Sequence, residues 1–154
     1  MEDREKRLRD LGYTVANAPK PGGLYTPVVT DGDTFYTSGA VPADSDGVAF
    51  TGKVPSAVRP EEATRAAALC AASLLRVFIR DVGPLSMIDR LVKVTGFVNS
   101  EPDYLETHLV VNGASQLFID VLGDAGAHSR SAIGTATLPL GVPVEVELIG
   151  KLRR

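Results

Sequence analysis

The stretch HSRSAIGTATLPLGVPVEVELIG, residues 128–150, predicts two strands joined by a Pro/Gly turn. Side chains alternate across a strand, so Arg130 shares its face with alanine and glycine only. In the second strand, Glu145 and Glu147 alternate with an apolar series on the other face. The chain therefore ends in two strands, and each strand carries charged side chains on one of its faces.

The remaining sequence predicts an α+β domain. Asp31-Gly32-Asp33 separates two β-type runs, which is typical of a hairpin. The predicted elements are strands at 25–30 and 34–39, a helix from Pro60 to about Asp81, a strand at 88–100, a helix at about 103–122 and the two closing strands. This order favours one mixed sheet with both helices on one face.

Apolar spacing predicts which side chains form the core. The single cysteine, Cys70, falls on the apolar stripe of the first long helix, so we expect a core residue rather than a reactive thiol. The predicted core positions are Ala63, Ala66, Ala67, Cys70, Leu74, Val77 and Phe78 in that helix, Val92, Val94 and Val98 in the strand, and Leu109, Leu117, Phe118 and Val121 in the second helix. The second face of the sheet has no covering element in its own chain, which predicts a homo-oligomer.

Length and composition limit the function classes. The 154 residues suffice for one domain, which we place at 24–154 after an N-terminal helix or arm and loop at 1–23. A formal charge of −3, no tryptophan and no basic groove with aromatic residues make nucleic acid an unlikely partner. No apolar run reaches membrane-span length, and the charged N-terminus lacks a signal-peptide core, so we expect a cytoplasmic protein.

Two charged positions are the best candidates for chemistry. Glu145 and Glu147 either form a solvated face, or one of them is a base in a pocket. Arg130 either pairs with an acid on a neighbouring strand, or offers its planar fork to a carboxylate or phosphate. Both alternatives remain open on these residues alone.

The other polar candidates give weaker signals. Tyr25, Ser38 and Asn112 lie near turns or element ends, where most such residues are surface or capping groups. His108 and His128 lack metal-ligand spacing, so we expect no metal site. No nucleophile-elbow, P-loop or dinucleotide motif occurs.

Four segments together resemble one family. They are YTSGAVP at 36–42, LVKVTGFVNS at 91–100, VVNGASQLF at 110–118 and RSAIGTATLPLGVPVEVE at 130–147. In this order and at these distances they are similar to the YjgF/RidA family of reactive intermediate deaminases, also called endoribonuclease L-PSP-like proteins. The resemblance covers roughly residues 24–152.

The resemblance implies a fold and an activity. The family fold is of the bacillus chorismate mutase type, with a mixed six-stranded sheet, two helices on one face and a homotrimer around a barrel-like core. Family members hydrolyse 2-imino or enamine acids to 2-keto acids and ammonia in clefts between subunits, without a cofactor. A non-catalytic trimer that binds small carboxylate metabolites in a regulatory role, and a ribonuclease, are the alternatives.

The resemblance also assigns residues. Arg130 corresponds to the arginine that binds the substrate carboxylate, and Glu145 to the glutamate that positions or activates water. The remaining substrate-binding positions are Tyr25, Ser38, Gly39, Asn112 and Ala132. Five features depart from the family: the longer N-terminus, the longer connector at 42–56, the longer segment before Asn112, Ala132, where the family often has cysteine, and His128 beside the arginine, which resembles a divergent branch.

Overall fold

The computed structural model describes residues 3–44 and 46–154. Three α-helices and seven strands occur in this part of the chain. In chain order they are α1 (Arg4–Asp10), β1 (Val28–Asp31), β2 (Thr34–Thr37), β3 (Ala43–Asp44), β4 (Gly47–Val48), α2 (Pro60–Asp81), β5 (Ile88–Asn99), α3 (Thr107–Leu122), β6 (Ser129–Thr135) and β7 (Val144–Leu152). None of the helices described here is long and apolar enough to cross a bilayer.

The main sheet is mixed and has five strands in the order β1-β2-β7-β5-β6. Only β5 and β6 run parallel, and α3 connects them. The six-stranded sheet expected from the resemblance is therefore wrong for the described chain, because β3 and β4 pair only with each other in a separate hairpin. The predicted α+β class, with a mixed sheet and helices packed on it, is confirmed.

Helix α2 covers the sheet with small side chains. Pro60 occupies its first turn, and the Glu62 carboxylate accepts a hydrogen bond from the Arg59 backbone N–H, so the start is capped. All seven core positions predicted in this helix are buried, Cys70 among them. The alanines let α2 approach α3 and β7 closely, which places both long helices on the same sheet face.

Two predicted core positions are wrong. Val92 is 37% exposed, because a register shift between Leu91 and Lys93 interrupts the alternation of β5 at that point. Leu109 is 47% exposed, because the buried stripe of α3 runs through Val110 and Ala114 and leaves this position outside it. Downstream the alternation holds, since Val94 and Val98 are fully buried on the helix-covered face.

A bulge in the segment after β2 changes the direction of its side chains. The pairing shifts by one residue between the Tyr36↔Ile149 pair and the Ala40↔Val146 bridge. Ala40 joins Val146 on the helix-covered face, so Gly39 comes to lie on the opposite, open face. Within the gap, the Thr37 hydroxyl accepts the Leu148 N–H at 3.0 Å and so replaces a ladder acceptor.

The segments outside the sheet are tied down by arginines. Arg76 on α2 is 2% exposed and donates to the Ala43 carbonyl at 2.6 Å, which fixes the β3–β4 hairpin to the helix. At the N-terminus, Arg4 on α1 donates to the carbonyls of Leu85 and Ile88 at 2.9 and 2.8 Å. The charged N-terminal segment is therefore a docked helix and not a solvated arm.

Candidate functional site

Arg130 lies on the helix-covered face, at the start of the edge strand β6. It stands beside the buried Val94 in the parallel register and reaches across to α3. Its Nη1 donates to Asn112 Oδ1 at 2.9 Å and to Ser115 Oγ at 3.1 Å, and its Nη2 donates to the His108 carbonyl at 3.0 Å. The structure therefore brings together two of the sequence-predicted site residues, Arg130 and Asn112.

All three partners of Arg130 are neutral. The alternative of a pair with an acid on a neighbouring strand is therefore wrong for the described residues, among which Arg130 has no ion pair. A guanidinium has five N–H groups, and three of them are used here. The Nε–H and one N–H on Nη2 remain without a partner in the described chain, so a bidentate anion can still bind.

Ala132 faces α3 from the same strand, two residues after Arg130. It pairs with Gly96 in β5, where a Cβ would overlap the Val111 side chain on α3. Strand and helix are therefore in close contact at this point. We call Arg130, Asn112, Ser115 and Ala132 the arginine half-site.

Glu145 lies on the open face of the sheet, next to Phe97 in β5. Its carboxylate rests on Gly39, where a Cβ would overlap it. Burial raises the pKa of Glu145, and the neighbouring Glu147 carboxylate raises it further. Glu145 accepts no hydrogen bond and forms no ion pair within the described residues, so packing alone positions it. A carboxyl with such a pKa shift is typical of acid–base sites.

Ser38 is fixed beside Gly39. Its Oγ donates to the Thr26 carbonyl at 2.8 Å, and its N–H donates to the Pro27 carbonyl at 2.8 Å. Both contacts attach the bulge segment to the loop that carries Tyr25. We call Ser38, Gly39 and Glu145 the glutamate half-site.

Tyr25 is bound to its own loop instead. Its hydroxyl accepts the Gly22 N–H at 3.0 Å, its ring lies over Gly23, and its side chain remains half-exposed. The structure therefore places Tyr25 in the loop that Ser38 contacts, with its hydroxyl oxygen accepting a hydrogen bond from that same loop.

The two half-sites lie on opposite faces of the sheet. Arg130 shares its face with Val94 and α3, whereas Glu145 alternates with the buried Val144 and Val146 and points away from the helices. A single chain therefore does not bring the predicted arginine and glutamate together. If they act on one molecule, the arginine half-site of one chain must meet the glutamate half-site of another.

Sequence reasoning missed several polar residues. Ser115 was missed, although His108, Asn112 and Ser115 follow helical spacing and form one polar stripe facing β6.

The open face also holds a groove of about 160 Å³. It is lined by Tyr36, Thr37, Lys93, Thr95, Glu147, Leu148 and Ile149.

The remaining candidates have structural roles. Cys70 is fully buried, and its Sγ donates to the Val144 carbonyl at 3.5 Å. Burial raises the pKa of the Cys70 thiol well above its usual range. Among residues 3–44 and 46–154, no three His, Cys, Asp or Glu side chains come together as metal ligands would.

The fold and its polar half-sites define a mixed α+β protein of the L-PSP type. A family model described as Endoribonuclease L-PSP matches residues 15–151. The chain therefore belongs to the endoribonuclease L-PSP family, which is the YjgF/RidA family named above.

Individual relatives agree with this family. Protein TCP17 of Trypanosoma cruzi is 35% identical over 146 residues, which are 94% of this chain and 91% of TCP17. Protein Atu1372 of Agrobacterium tumefaciens, whose function is unknown, is 41% identical with a TM-score of 0.88, covering 97% of this chain and 92% of Atu1372. A candidate endoribonuclease of Shewanella oneidensis is 25% identical with a TM-score of 0.93, covering 98% of this chain and all of the other.

Proposed function

We propose that this protein is a hydrolase that deaminates small 2-imino or enamine carboxylic acids to 2-keto acids and ammonia. The observation that carries the proposal is the Arg130 guanidinium, which neutral acceptors hold while two of its N–H groups stay unoccupied. Such a fork matches the two oxygens of a substrate carboxylate. The reaction takes place in clefts between neighbouring copies of the chain, in a cytoplasmic homotrimer without a cofactor.

The division of the half-sites supports a site that two chains share. Arg130, Asn112 and Ala132 would come from one chain, and Ser38, Gly39 and Glu145 from the next. A contact that joins two different faces is heterologous, and its repetition closes into a ring when the rotation between neighbours allows it, as in a trimer. The open sheet face beside Glu145 provides the surface for that contact.

The chemistry consists of the addition of water to a carbon–nitrogen double bond. Arg130 binds the carboxylate, and Glu145 accepts a proton from water while the oxygen forms a bond to the imine carbon. Glu145 returns this proton to the nitrogen, which gives a carbinolamine. The hydroxyl proton of the carbinolamine then passes to the nitrogen through Glu145, the carbon–nitrogen bond breaks, and ammonia leaves as the carbonyl forms. Because such imines also hydrolyse in water, positioning supplies most of the rate gain.

The test is the release of ammonia and keto acid from freshly generated 2-aminoacrylate. We expect Arg130→Ala to reduce kcat/KM by about 10²-fold or more, since the carboxylate loses its fork. Arg65→Ala removes an exposed arginine on α2 and is the matched control. If Arg130→Ala is as fast as the parent protein, the assigned role is wrong.

Glu145→Gln separates turnover from binding. The glutamine keeps the shape of the side chain and cannot take a proton, so we expect turnover to fall by about 10²-fold while the binding of pyruvate persists. If the parent protein binds pyruvate and releases no ammonia, the protein is instead a carboxylate-binding regulator.

An endoribonuclease is the second candidate, because the matching family model carries that description. Cleavage of RNA, with binding that weakens steeply as salt rises, would favour it. The formal charge of −3 argues against an affinity built on phosphate contacts.

A further inference from the structure

Behind Arg130, three groups form a directed chain of hydrogen bonds. His128 Nδ1 lies 2.6 Å from the Gly126 carbonyl, and a carbonyl can only accept, so Nδ1 carries the proton. In the neutral ring Nε2 is then an acceptor, and it lies 2.9 Å from Ser115 Oγ. Ser115 therefore donates its hydroxyl proton to His128 and accepts the Nη1–H of Arg130 at 3.1 Å.

The surroundings of His128 favour its neutral form. Burial lowers the pKa of His128, the Arg130 charge lowers it further, and the Gly126 carbonyl partly opposes both effects. Among the described groups, Arg130 is the charge that acts on this ring. The Phe118 ring meets it edge-on, with centroids 6.0 Å apart. The acceptor at Nε2 is therefore available at neutral pH and fixed in place.

This chain determines which way the Ser115 hydroxyl points. A serine inside a helix commonly donates to the carbonyl four residues earlier, here Val111. That rotamer would turn Oγ away from β6, and Arg130 would lose one of its three acceptors. His128 draws the hydroxyl proton towards itself, so the oxygen lone pairs remain directed at the guanidinium.

We propose that Ser115 and His128 are positioning residues that fix the Arg130 guanidinium so that its two free N–H groups face a carboxylate. This inference rests on the proposed function only for the identity of the ligand. Neither residue touches the substrate. Their loss would therefore weaken carboxylate binding and raise KM more than it lowers kcat.

The experiment compares variants of the full chain, with pyruvate as the probe. Ser115→Ala removes the acceptor, and His128→Asn keeps a donor for Gly126 but has no acceptor that reaches Ser115. We expect each to weaken pyruvate binding about tenfold, as the loss of one hydrogen bond to a charged group predicts. His128→Gln places an oxygen near the position of Nε2, and we expect it to bind within about twofold of the parent.

Ser129→Ala is the matched control. Ser129 lies between His128 and Arg130 in sequence, but its Oγ donates to the Val92 carbonyl at 2.8 Å and takes no part in the chain of hydrogen bonds. Thermal unfolding of every variant, compared with this control, separates a local effect from lost folding. If Ser115→Ala and His128→Asn bind pyruvate as the parent does, the inference is overturned while the role of Arg130 stands.

A second measurement needs no ligand. In protein labelled with ¹⁵N-arginine, rotation of the Arg130 guanidinium is read from its NMR signals, which Arg130→Ala identifies. We expect slow rotation in the parent and in His128→Gln, and faster rotation in Ser115→Ala and His128→Asn. Equal rotation in all four proteins overturns the inference, even if the parent shows neither turnover nor pyruvate binding.

Discussion

Arg130 and Glu145 are held in opposite ways. Three neutral acceptors from α3 hold the arginine, whereas the glutamate accepts no hydrogen bond within the described chain and rests on Gly39. The cation is thus oriented by directional contacts, and the carboxylate by packing and partial burial. Mutations should therefore impair the arginine half-site mainly through lost hydrogen bonds and the glutamate half-site mainly through changes in side-chain shape.

Gly39→Ala should break the glutamate half-site most severely. The added Cβ would overlap the Glu145 carboxylate, so either the carboxylate or the bulge must move. A shift of about 1 Å can cost about 10²-fold in rate, and overpacking costs about 1–3 kcal/mol in the free energy of unfolding. Gly22→Ala is the control, because the nearest atom to its Cβ would be the Tyr25 hydroxyl at 4.0 Å. Equal deamination rates in the two variants would show that packing against Gly39 does not position the Glu145 carboxylate.

Arg130→Lys should weaken the arginine half-site less. The charge remains, but a single ammonium cannot satisfy three acceptors on α3 and also bind a carboxylate bidentately. We expect KM for 2-aminoacrylate to rise about tenfold with little change in thermal unfolding. An unchanged KM would mean that charge alone, and not the planar fork, binds the substrate.

Thr37→Val tests the bulge that aims Gly39 at Glu145. The change keeps the shape and removes the acceptor of the Leu148 N–H, which should lower the free energy of unfolding by about 1 kcal/mol. Chemical denaturation measures this loss. Thr37→Ser restores the hydroxyl and should recover most of it; equal losses in both variants would show that the hydrogen bond is not the cause.

The smallest expected effect is a contrast in pH dependence. Because the pKa of Glu145 is raised, its contribution to stability declines as pH rises from about 4.5 through the folded pKa. Because the pKa of His128 is lowered, its contribution is present above about 6.5 and declines as pH falls through the folded pKa.

Unfolding titrations of two variants check this contrast. Glu145→Gln should remove the loss of stability that occurs as pH rises above about 4.5. His128→Gln should remove the loss of stability that occurs as pH falls below about 6.5. If both variants keep the pH dependence of the parent, the two groups do not titrate in the environments described.

Much of the fold could be predicted because the local patterns are strong. The seven core positions in α2 follow helical spacing, and the Asp-Gly turn marks the first hairpin. The register shifts near Val92 and after Tyr36 could not be predicted, because a bulge depends on pairing with β7, which is distant in sequence. The prediction of a sixth strand was wrong because β3 and β4 pair with each other and add no strand to the main sheet.

The sequence names candidate site residues and does not give their geometry. The strand pattern singled out Arg130 and Glu145, but only the register of β5 with β6 and β7 places them on opposite faces. Ser115 escaped notice because its helical spacing with His108 and Asn112 indicates a polar stripe but not the strand that this stripe faces. His128 was noticed beside Arg130, but the direction of its hydrogen bonds depends on the Gly126 carbonyl.

In the proposed site, the arginine comes from one chain and the glutamate from another. Arg130→Ala and Glu145→Gln proteins, each reduced alone by about 10²-fold in activity, should be unfolded together in equal amounts and refolded as mixed oligomers. The deamination of 2-aminoacrylate by the mixture is then measured. If the half-sites meet between chains, about one quarter of the sites regain both residues, so about one quarter of the parent activity returns. If the mixture stays as slow as its components, the arginine and the glutamate do not act across a subunit boundary, and the account is contradicted.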